Sequence, residues 1–282
     1  MAFSFECFAI THIGSCRKNH EDNFFIGSFL TLEEQNSLSQ TAVKSIQKHL
    51  VVDSSTNRIF AVSDGMGGHR HGEVASSMVT EALSMFSGMH QERAARRHQE
   101  KYAYIQAFQE MIHGTNQSML SCSENENEIS RMGATLSGAV VFADELAVFN
   151  IGDSAVFLFE NGTLHKLTKD DNEAQRLGQS ERTVGNIYGK RLTKYVGMER
   201  SHGRLTATFS RPIPLRRGQL VVIATDGLTD SLSQAQMRRV LALWKDSPEL
   251  AAVKLTEEAL GQADGGHDNI TVVVVKIQKS IR

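Results

Sequence analysis

Ile59-Phe60-Ala61-Val62-Ser63-Asp64-Gly65-Met66-Gly67-Gly68-His69 is an apolar run that ends abruptly in a carboxylate followed by glycines. Its first half has the β-branched and aromatic content of a strand. The Asp64-Gly65 that closes it is also a common turn dipeptide and says little alone. The arrangement recurs, however. Val221-Val222-Ile223-Ala224-Thr225 runs into Asp226-Gly227, and Asp268-Asn269 stands directly before Ile270-Thr271-Val272-Val273-Val274. Gly152-Asp153-Ser154 separates two apolar segments, and Glu21-Asp22 closes a polar turn before Phe24-Phe25. In a sandwich of antiparallel strands, several such ends converge on one edge between the sheets. Carboxylates gathered there repel one another and hold their protons unless cations neutralise them. An all-oxygen donor set suits Mg²⁺ or Mn²⁺. Glycine after aspartate lets the backbone approach closely, so the Gly65 carbonyl is itself a candidate ligand.

Working outward, Phe3 to Ile10 reads as a strand, and Leu50-Val51-Val52 and Ile59 to Val62 flank the hairpin-like loop Asp53-Ser54-Ser55-Thr56-Asn57. The polar stretch from Phe29 to Lys48 reads as an insertion or long loop. Two helices follow, with stripes at Val74, Met78, Ala82, Met85 and Met89 and at Tyr104, Phe108, Met111, Thr115 and Met119. Such stripes are core faces far more often than grooves. Short β runs come next (Ala134–Phe142, Glu145–Asn150, Ala155–Glu160 and Thr163–Leu167), with Asn161-Gly162 as a two-residue hairpin signal. After a polar, glycine-containing segment from Asn172 to Lys190, strands are expected near Arg204–Phe209 and Gln219–Ala224. A second helix pair carries Met237, Val240, Leu241 and Trp244, then Leu250, Val253 and Leu260, before a last strand from Ile270 to Ile277. Two antiparallel sheets packed face to face, each covered by a helix pair, bury all these faces. The fold class is therefore α+β, a four-layer αββα sandwich.

With 282 residues, only three prolines and no repeat or low-complexity linker, residues 1–282 read as a single domain. Hydrophobic residues make up 40%, enough for a core without disulfides. The net charge of -2 disfavours nucleic acid held through phosphate contacts. Cys7, Cys16 and Cys122 show no paired spacing and read as thiols of a reducing compartment. The start lacks a signal-peptide pattern, and no apolar run reaches the ~18 residues of a membrane helix. A cytoplasmic monomer with no membrane association is expected.

Taken together, these residues resemble the metal-dependent protein phosphatase family, the PPM or type 2C class, over about Ala9 to Val275. Ala61 to His69 is similar to the family's second motif at every position. Gly133-Ala134-Thr135-Leu136, Asn150-Ile151-Gly152-Asp153-Ser154, Leu192-Thr193, Thr225-Asp226-Gly227-Leu228-Thr229-Asp230 and Asp268-Asn269-Ile270-Thr271 resemble later motifs, in order. The resemblance implies that Asp64 bridges two Mn²⁺ or Mg²⁺ ions with the Gly65 carbonyl, and that Asp226 and Asp268 complete their ligands. It implies that Glu21 and Asp22 hold metal-bound waters, that Asp153 with Asp226 recruits a third, weaker metal, and that Arg17 grips phosphate. Three departures stand out. His20 replaces the family's asparagine before Glu-Asp, Asp170-Asp171 stands where the family has Asp-His, and Met66 occupies a position that is histidine in eukaryotic members. The last points to a bacterial type.

The implied chemistry is hydrolysis of phosphoserine and phosphothreonine in proteins, the targets of a Ser/Thr kinase in signal transduction. A hydroxide bridging two divalent ions roughly 3.5–4 Å apart would attack in line, with Asp64 and Arg17 as the catalytic pair. No cysteine-phosphatase loop and no Asp-x-Asp start is present, so no phosphoenzyme is required. His20 and His69 are the candidates for protonating the leaving group, although a loop histidine without that role is the plainer reading. Arg93, Arg96, Arg97 and Lys101 form a basic cluster that reads as a solvated face. The rivals are a non-catalytic, partner-binding regulatory module, which would have lost Asp64, Asp226 or Asp268, and a two-metal phosphodiesterase, which would want a basic groove.

Overall fold

Ile270 to Val275 is buried without interruption, which a strand can sustain only when both faces are covered. The computed structural model, which describes residues 3–66, 71–90, 94–125, 132–179, 183, 185–199, 203–262 and 266–279, places this strand in the middle of a six-stranded sheet. From the N-terminus the chain runs β1 (Phe3–His12), β2 (Asp22–Phe25), α1 (Leu32–Gln40), β3 (Ser45–Asp53), β4 (Arg58–Met66), α2 (Gly72–Met89) and α3 (His98–Asn125). It continues through β5 (Gly133–Ala134), β6 (Leu136–Phe142), β7 (Glu145–Ile151), β8 (Ala155–Glu160), β9 (Thr163–Lys166), α4 (Glu173–Arg176) and α5 (Asn186–Gly189). The last elements are β10 (Thr208–Phe209), β11 (Ile213–Pro214), β12 (Leu220–Ala224), α6 (Asp226–Ser231), α7 (Gln234–Trp244), α8 (Pro248–Leu260) and β13 (Ile270–Lys279).

One sheet has the order β3-β1-β13-β12-β8-β9, and the other β10-β7-β6-β4-β2, with β5 paired to β4 and β11 to β7. Alternation along the strands builds three apolar layers. Val273, Val275, Phe60, Val62, Ala139 and Val141 meet between the sheets. Val272 and Val274 face α7 and α8 through Leu241, Leu255 and Ala259. Ile59, Ala61, Val140 and Phe142 face α2 and α3, where Phe86 meets Phe108 edge-on at 5.5 Å. The expected αββα sandwich is the observed one.

Several local expectations are corrected. Phe29–Lys48 is not a loop: Thr31 and Glu34 form a capping box that starts α1, and Ser45 onward is β3. Asp53–Asn57 does not close a hairpin, because β3 pairs with β1 while β4 pairs with β2 and β6. Ser54 anchors the crossing between sheets through reciprocal bonds with the Phe3 backbone. The core stripe of α2 is Ala75, Val79, Leu83 and Phe86, while Met85 and Met89 are 70% and 69% exposed. This helix also buries Ser76, Ser77 and Thr80, a small polar face that a hydrophobicity stripe overlooks. Likewise Ala251, Ala252, Leu255 and Ala259 carry the inner face of α8, leaving Leu250 exposed. Asn161-Gly162 does turn β8 into β9, both residues at positive φ.

Candidate active site

Asp64 lies within β4 rather than after it, opposite Asp22 in the pairing with β2. Two adjacent strands thus bring two carboxylates together by register alone. The next residue, Gly65, pairs with Ala134 of β5, and its N–H donates to the Glu21 carbonyl at 3.1 Å. A Cβ there would fall 1.9 Å from the Gly72 carbonyl, so only glycine fits. Thr135 secures the junction: its Oγ1 accepts from the Asp64 N–H at 2.9 Å and shares a 2.7 Å bond with Ser154 Oγ, while its own N–H donates to Asp64 O. This hydroxyl therefore ties Asp64 to the loop that carries Asp153.

The other sheet supplies the facing wall. β12 ends at Ala224 and Asp226 opens α6, while Asp268 stands two residues before β13, the partner of β12. Asn269 then stitches the loop after β1 to this strand end. Its side-chain oxygen accepts from the Glu21 N–H at 2.7 Å, and its amide donates to the carbonyls of Ile13 and Asn19. Asp22 Oδ2 bridges the two sheets by accepting from Thr225 Oγ1 at 2.8 Å and Thr271 Oγ1 at 2.7 Å.

The result is a cavity of about 610 Å³ lined by Arg17, Glu21, Asp64, Gly65, Asp153, Asp226 and Asp268, joined by Lys18, Met66 and Lys190. Burial and then mutual repulsion raise the carboxyls: Asp64 well above its usual range, Asp153 to about 8 and Asp226 to about 6. Burial also pushes up Glu21 and, more strongly, Asp22. Arg17 Nη2 lies 2.5 Å from Asp268 Oδ2, and that bond raises the guanidinium further. A larger cavity of about 780 Å³ beside Asn57, His90, Arg96 and Tyr104 offers Glu100 as its only lining carboxylate among the described residues.

Divalent cations suit this donor set. Asp64 and Asp226 line the same cavity, and the charge of Asp226 adds to the burial that raises Asp64, a repulsion that a cation between them would relieve. Asp226 Oδ1 is shielded from water and has no hydrogen-bond partner. Among the described residues no three His, Cys, Asp or Glu side chains close around one point, and the oxygens instead share the wall of one cavity.

Of the residues expected from sequence, all except Asp22 reach the cavity; Asp22 lies 1% exposed behind it, its Oδ2 held by threonines. His20 is also buried, at 1% exposure, and does not line the cavity. Burial lowers its pKa to about 3, so it is a neutral imidazole, and its candidacy as the proton donor fails on position. His69 lies outside the described residues, as does Arg93. Arg96 and Arg97 are exposed just ahead of α3, their N–H groups capped by Glu100, and Lys101 pairs with Glu145. Asp171, one of the departures, has a structural explanation: its Oδ2 accepts from the Gly152 N–H at 3.1 Å and its N–H donates to Gly152 O. Sequence reasoning assigned no role to Thr135, Asn269 or Lys190. The first two stood inside quoted motifs, where a hydroxyl or amide beside a carboxylate was the available signal.

Comparison with known proteins agrees with this geometry. The family model described as Protein phosphatase 2C matches residues 45–260. The serine/threonine phosphatase stp of Listeria monocytogenes serotype 4b is 30% identical over 224 residues, covering 77% of this chain and 84% of that protein. PstP of Mycobacterium tuberculosis is 29% identical over 222 residues, covering 78% of this chain and 40% of that longer protein. The crystal structure of M. tuberculosis PstP/Ppp superposes with a TM-score of 0.72 at 25% identity, covering 98% of this chain and all of that one. The catalytic domain of PstP in complex with two manganese ions shares the fold, with a TM-score of 0.72 at 24% identity, over 98% of this chain and 100% of its own.

Proposed function

The chain belongs to the protein phosphatase 2C family, and we propose that it is a metal-dependent serine/threonine protein phosphatase working at the Asp64–Asp226 cavity. The observation that carries this reading is the cavity itself, where Asp64 of β4 and Asp226 at the start of α6 share one wall with Glu21, Asp153 and Asp268 and with Arg17 beside Asp268. Mn²⁺ or Mg²⁺, when bound, supplies a water ionised near neutral pH and offsets the carboxylate charge. Asp64, Gly65, Asp226 and Asp268 are the residues proposed to hold two such ions, with Glu21 and Asp22 behind bound water and Asp153 at a third, weaker position. Support comes from the one cavity that all of these except Asp22 line and from the raised pKa values of the carboxyls in it.

Arg17 presents a planar fork able to take two phosphate oxygens together, and its half-exposed position lets it turn from Asp268 to substrate. Lys190 and Lys18 add positive charge on the same wall. A phosphate monoester dianion would therefore be met by cationic side chains on the cavity wall. Phosphorylated proteins, the products of Ser/Thr kinases, are the substrates favoured by the relatives' names. The cytoplasmic setting is read from the cysteines: Cys7, Cys16 and Cys122 are few and show no paired spacing in the sequence. Among the described residues no helix is long and apolar enough to cross a membrane. A signalling role as a monomer, with residues 1–282 as one catalytic domain, completes the proposal.

The test is hydrolysis of p-nitrophenyl phosphate and a phosphothreonine peptide with Mn²⁺, with Mg²⁺ and with EDTA. Turnover that needs metal and stops in EDTA supports the reading. A folded, metal-loaded protein without turnover would instead favour a regulatory module built on the same fold.

A further inference from the structure

The helix α1 exposes Leu32, Glu33, Asn36 and Gln40 yet buries Gln35 completely. A glutamine is costly to bury unless its amide is satisfied, and here both ends of the amide are tethered. Gln35 Nε2 donates to the Asp22 carbonyl at 2.9 Å and to Ser76 Oγ at 3.2 Å, while its Oε1 accepts from Ser77 Oγ at 2.7 Å. One turn later, Ser39 Oγ accepts from the His20 N–H at 2.9 Å. The helix itself is fixed to β3 by Lys48, whose Nζ donates to the Phe29 carbonyl at 2.6 Å and to Glu34 at 3.0 Å.

These tethers fall on the two residues that bracket Glu21. The Glu21 N–H is held by Asn269 and its carbonyl by the Gly65 N–H. With His20 and Asp22 also held, the main chain of residues 20–22 is fixed on every side. The other end of the Gln35 tether is α2, just after Gly72, whose Cα hydrogen faces the Glu21 carboxylate so closely that a Cβ would sit 2.5 Å from Glu21 Cδ. His20 adds a second line of support. Because Thr271 Oγ1 donates to Asp22 Oδ2, it accepts from Thr11 Oγ1 at 2.6 Å, and Thr11 in turn accepts from His20 Nε2–H at 2.7 Å. The imidazole thus orients Asp22 through two threonines.

We propose that α1 is a brace for the carboxylate site, with Gln35 and Ser39 as positioning residues that hold the Glu21-Asp22 main chain in register with Asp64 and α2. The proposal rests on the two-metal reading above. A carboxylate holds a cation or its water only as well as its own backbone is held, and supporting partners of this kind typically change metal affinity by tenfold or more. Packing alone would be served by an apolar side chain at position 35, whereas a brace requires the amide.

The test is the Mn²⁺ dissociation constant, read by calorimetry on the full chain, for Gln35→Met, Ser77→Ala and Ser39→Ala, together with p-nitrophenyl phosphate turnover and melting temperature. Gln35→Met is expected to weaken Mn²⁺ binding roughly tenfold, with most of kcat regained at saturating Mn²⁺. Ser39→Ala and Ser77→Ala should weaken it in the same direction by about threefold each, in proportion to one lost tether. Unchanged Mn²⁺ affinity in these variants, even with a lowered melting temperature, would show that α1 supplies stability only and would overturn the brace. If Gln35→Met does not fold, the two serine variants decide by the same criterion. A wild type that binds Mn²⁺ but turns nothing over, with weakened binding in the variants, would refute the phosphatase reading and leave the brace standing.

Discussion

Arg17 Nη2 and Asp268 Oδ2 lie 2.5 Å apart, so the proposed phosphate grip and a proposed metal ligand hold each other. Were Asp268 to ligate a cation, that oxygen would be engaged and the Arg17 guanidinium would be free to meet phosphate. Arg17→Ala should therefore raise KM for a phosphothreonine peptide by roughly tenfold to a hundredfold, the weight of a charged hydrogen bond. It should leave Mn²⁺ affinity unchanged or tighter, because Asp268 loses a competitor. Arg17→Lys should recover only part of KM, since an ammonium cannot reproduce the fork. Steady-state kinetics and calorimetry on the two variants check both halves.

Asp226→Asn removes one charge from a carboxylate cluster that the fold tolerates rather than seeks. Its Oδ1 is buried without a partner, and repulsion from Asp230 and Asp268 adds to the burial that raises its pKa to about 6. The variant should melt at a higher temperature than wild type in EDTA, yet lose turnover by at least about a hundredfold. Its melting temperature should no longer climb on adding Mn²⁺. A variant that keeps both the Mn²⁺ shift and turnover would remove Asp226 from the site.

The sequence made the layer order and the carboxylate set legible because both depend on local pattern. Apolar runs broken by Asp-Gly or Asp-Asn mark strand ends, and hydrophobic periodicity marks the helices. What escaped it was partnership across space. Leu50–Val52 and Ile59–Val62 look like hairpin arms, yet they lie in different sheets, because the exposed residues of β3 alternate as on an edge strand while β4 is buried throughout its middle. The α2 stripe was misplaced because Ser76 and Ser77 are buried to bond Gln35, a contact 41 or 42 residues away. Asp22 looked like a cavity residue because it follows Glu21; only the three-dimensional placement of Thr225 and Thr271 shows that it faces the seam between sheets.

Stability of the metal-free protein should fall as pH rises above about 6.5. Asp153, raised from 3.8 to about 8, binds its proton more tightly folded than unfolded, so its charge is disfavoured progressively up to that value. Asp226 acts in the same direction up to about 6. His20 opposes them at lower pH: lowered from 6.5 to about 3, it disfavours the folded state below its unfolded value, and that penalty is gone above 6.5. Only the carboxylate effect remains between about 6.5 and about 8. Melting temperatures in EDTA should decline across that window, and saturating Mg²⁺ should flatten the decline by holding the carboxylates ionised. A profile in EDTA that rises there would contradict the clustering of these charges.

Thr135→Val is nearly isosteric and deletes one hydroxyl with two duties. The Asp64 N–H would lose its acceptor and Ser154 Oγ its partner, both in buried surroundings. The Cγ2 that packs 2.7 Å from where a Gly152 Cβ would stand has its counterpart in valine, so packing is kept. Leaving a buried donor unsatisfied costs about 1–3 kcal/mol, which a chemical denaturation curve resolves. The functional effect should be separable from that loss. Thr135 bonds both the Asp64 main chain and Ser154 beside Asp153, so its removal loosens the spacing of those carboxylates. Turnover at saturating Mn²⁺ should drop by roughly tenfold while KM for p-nitrophenyl phosphate stays near wild type, because Arg17 is untouched. Thr135→Ser, which restores the hydroxyl, should recover turnover even where the lost methyl lowers stability. Recovery of stability without turnover would mean that the hydroxyl matters to the fold alone.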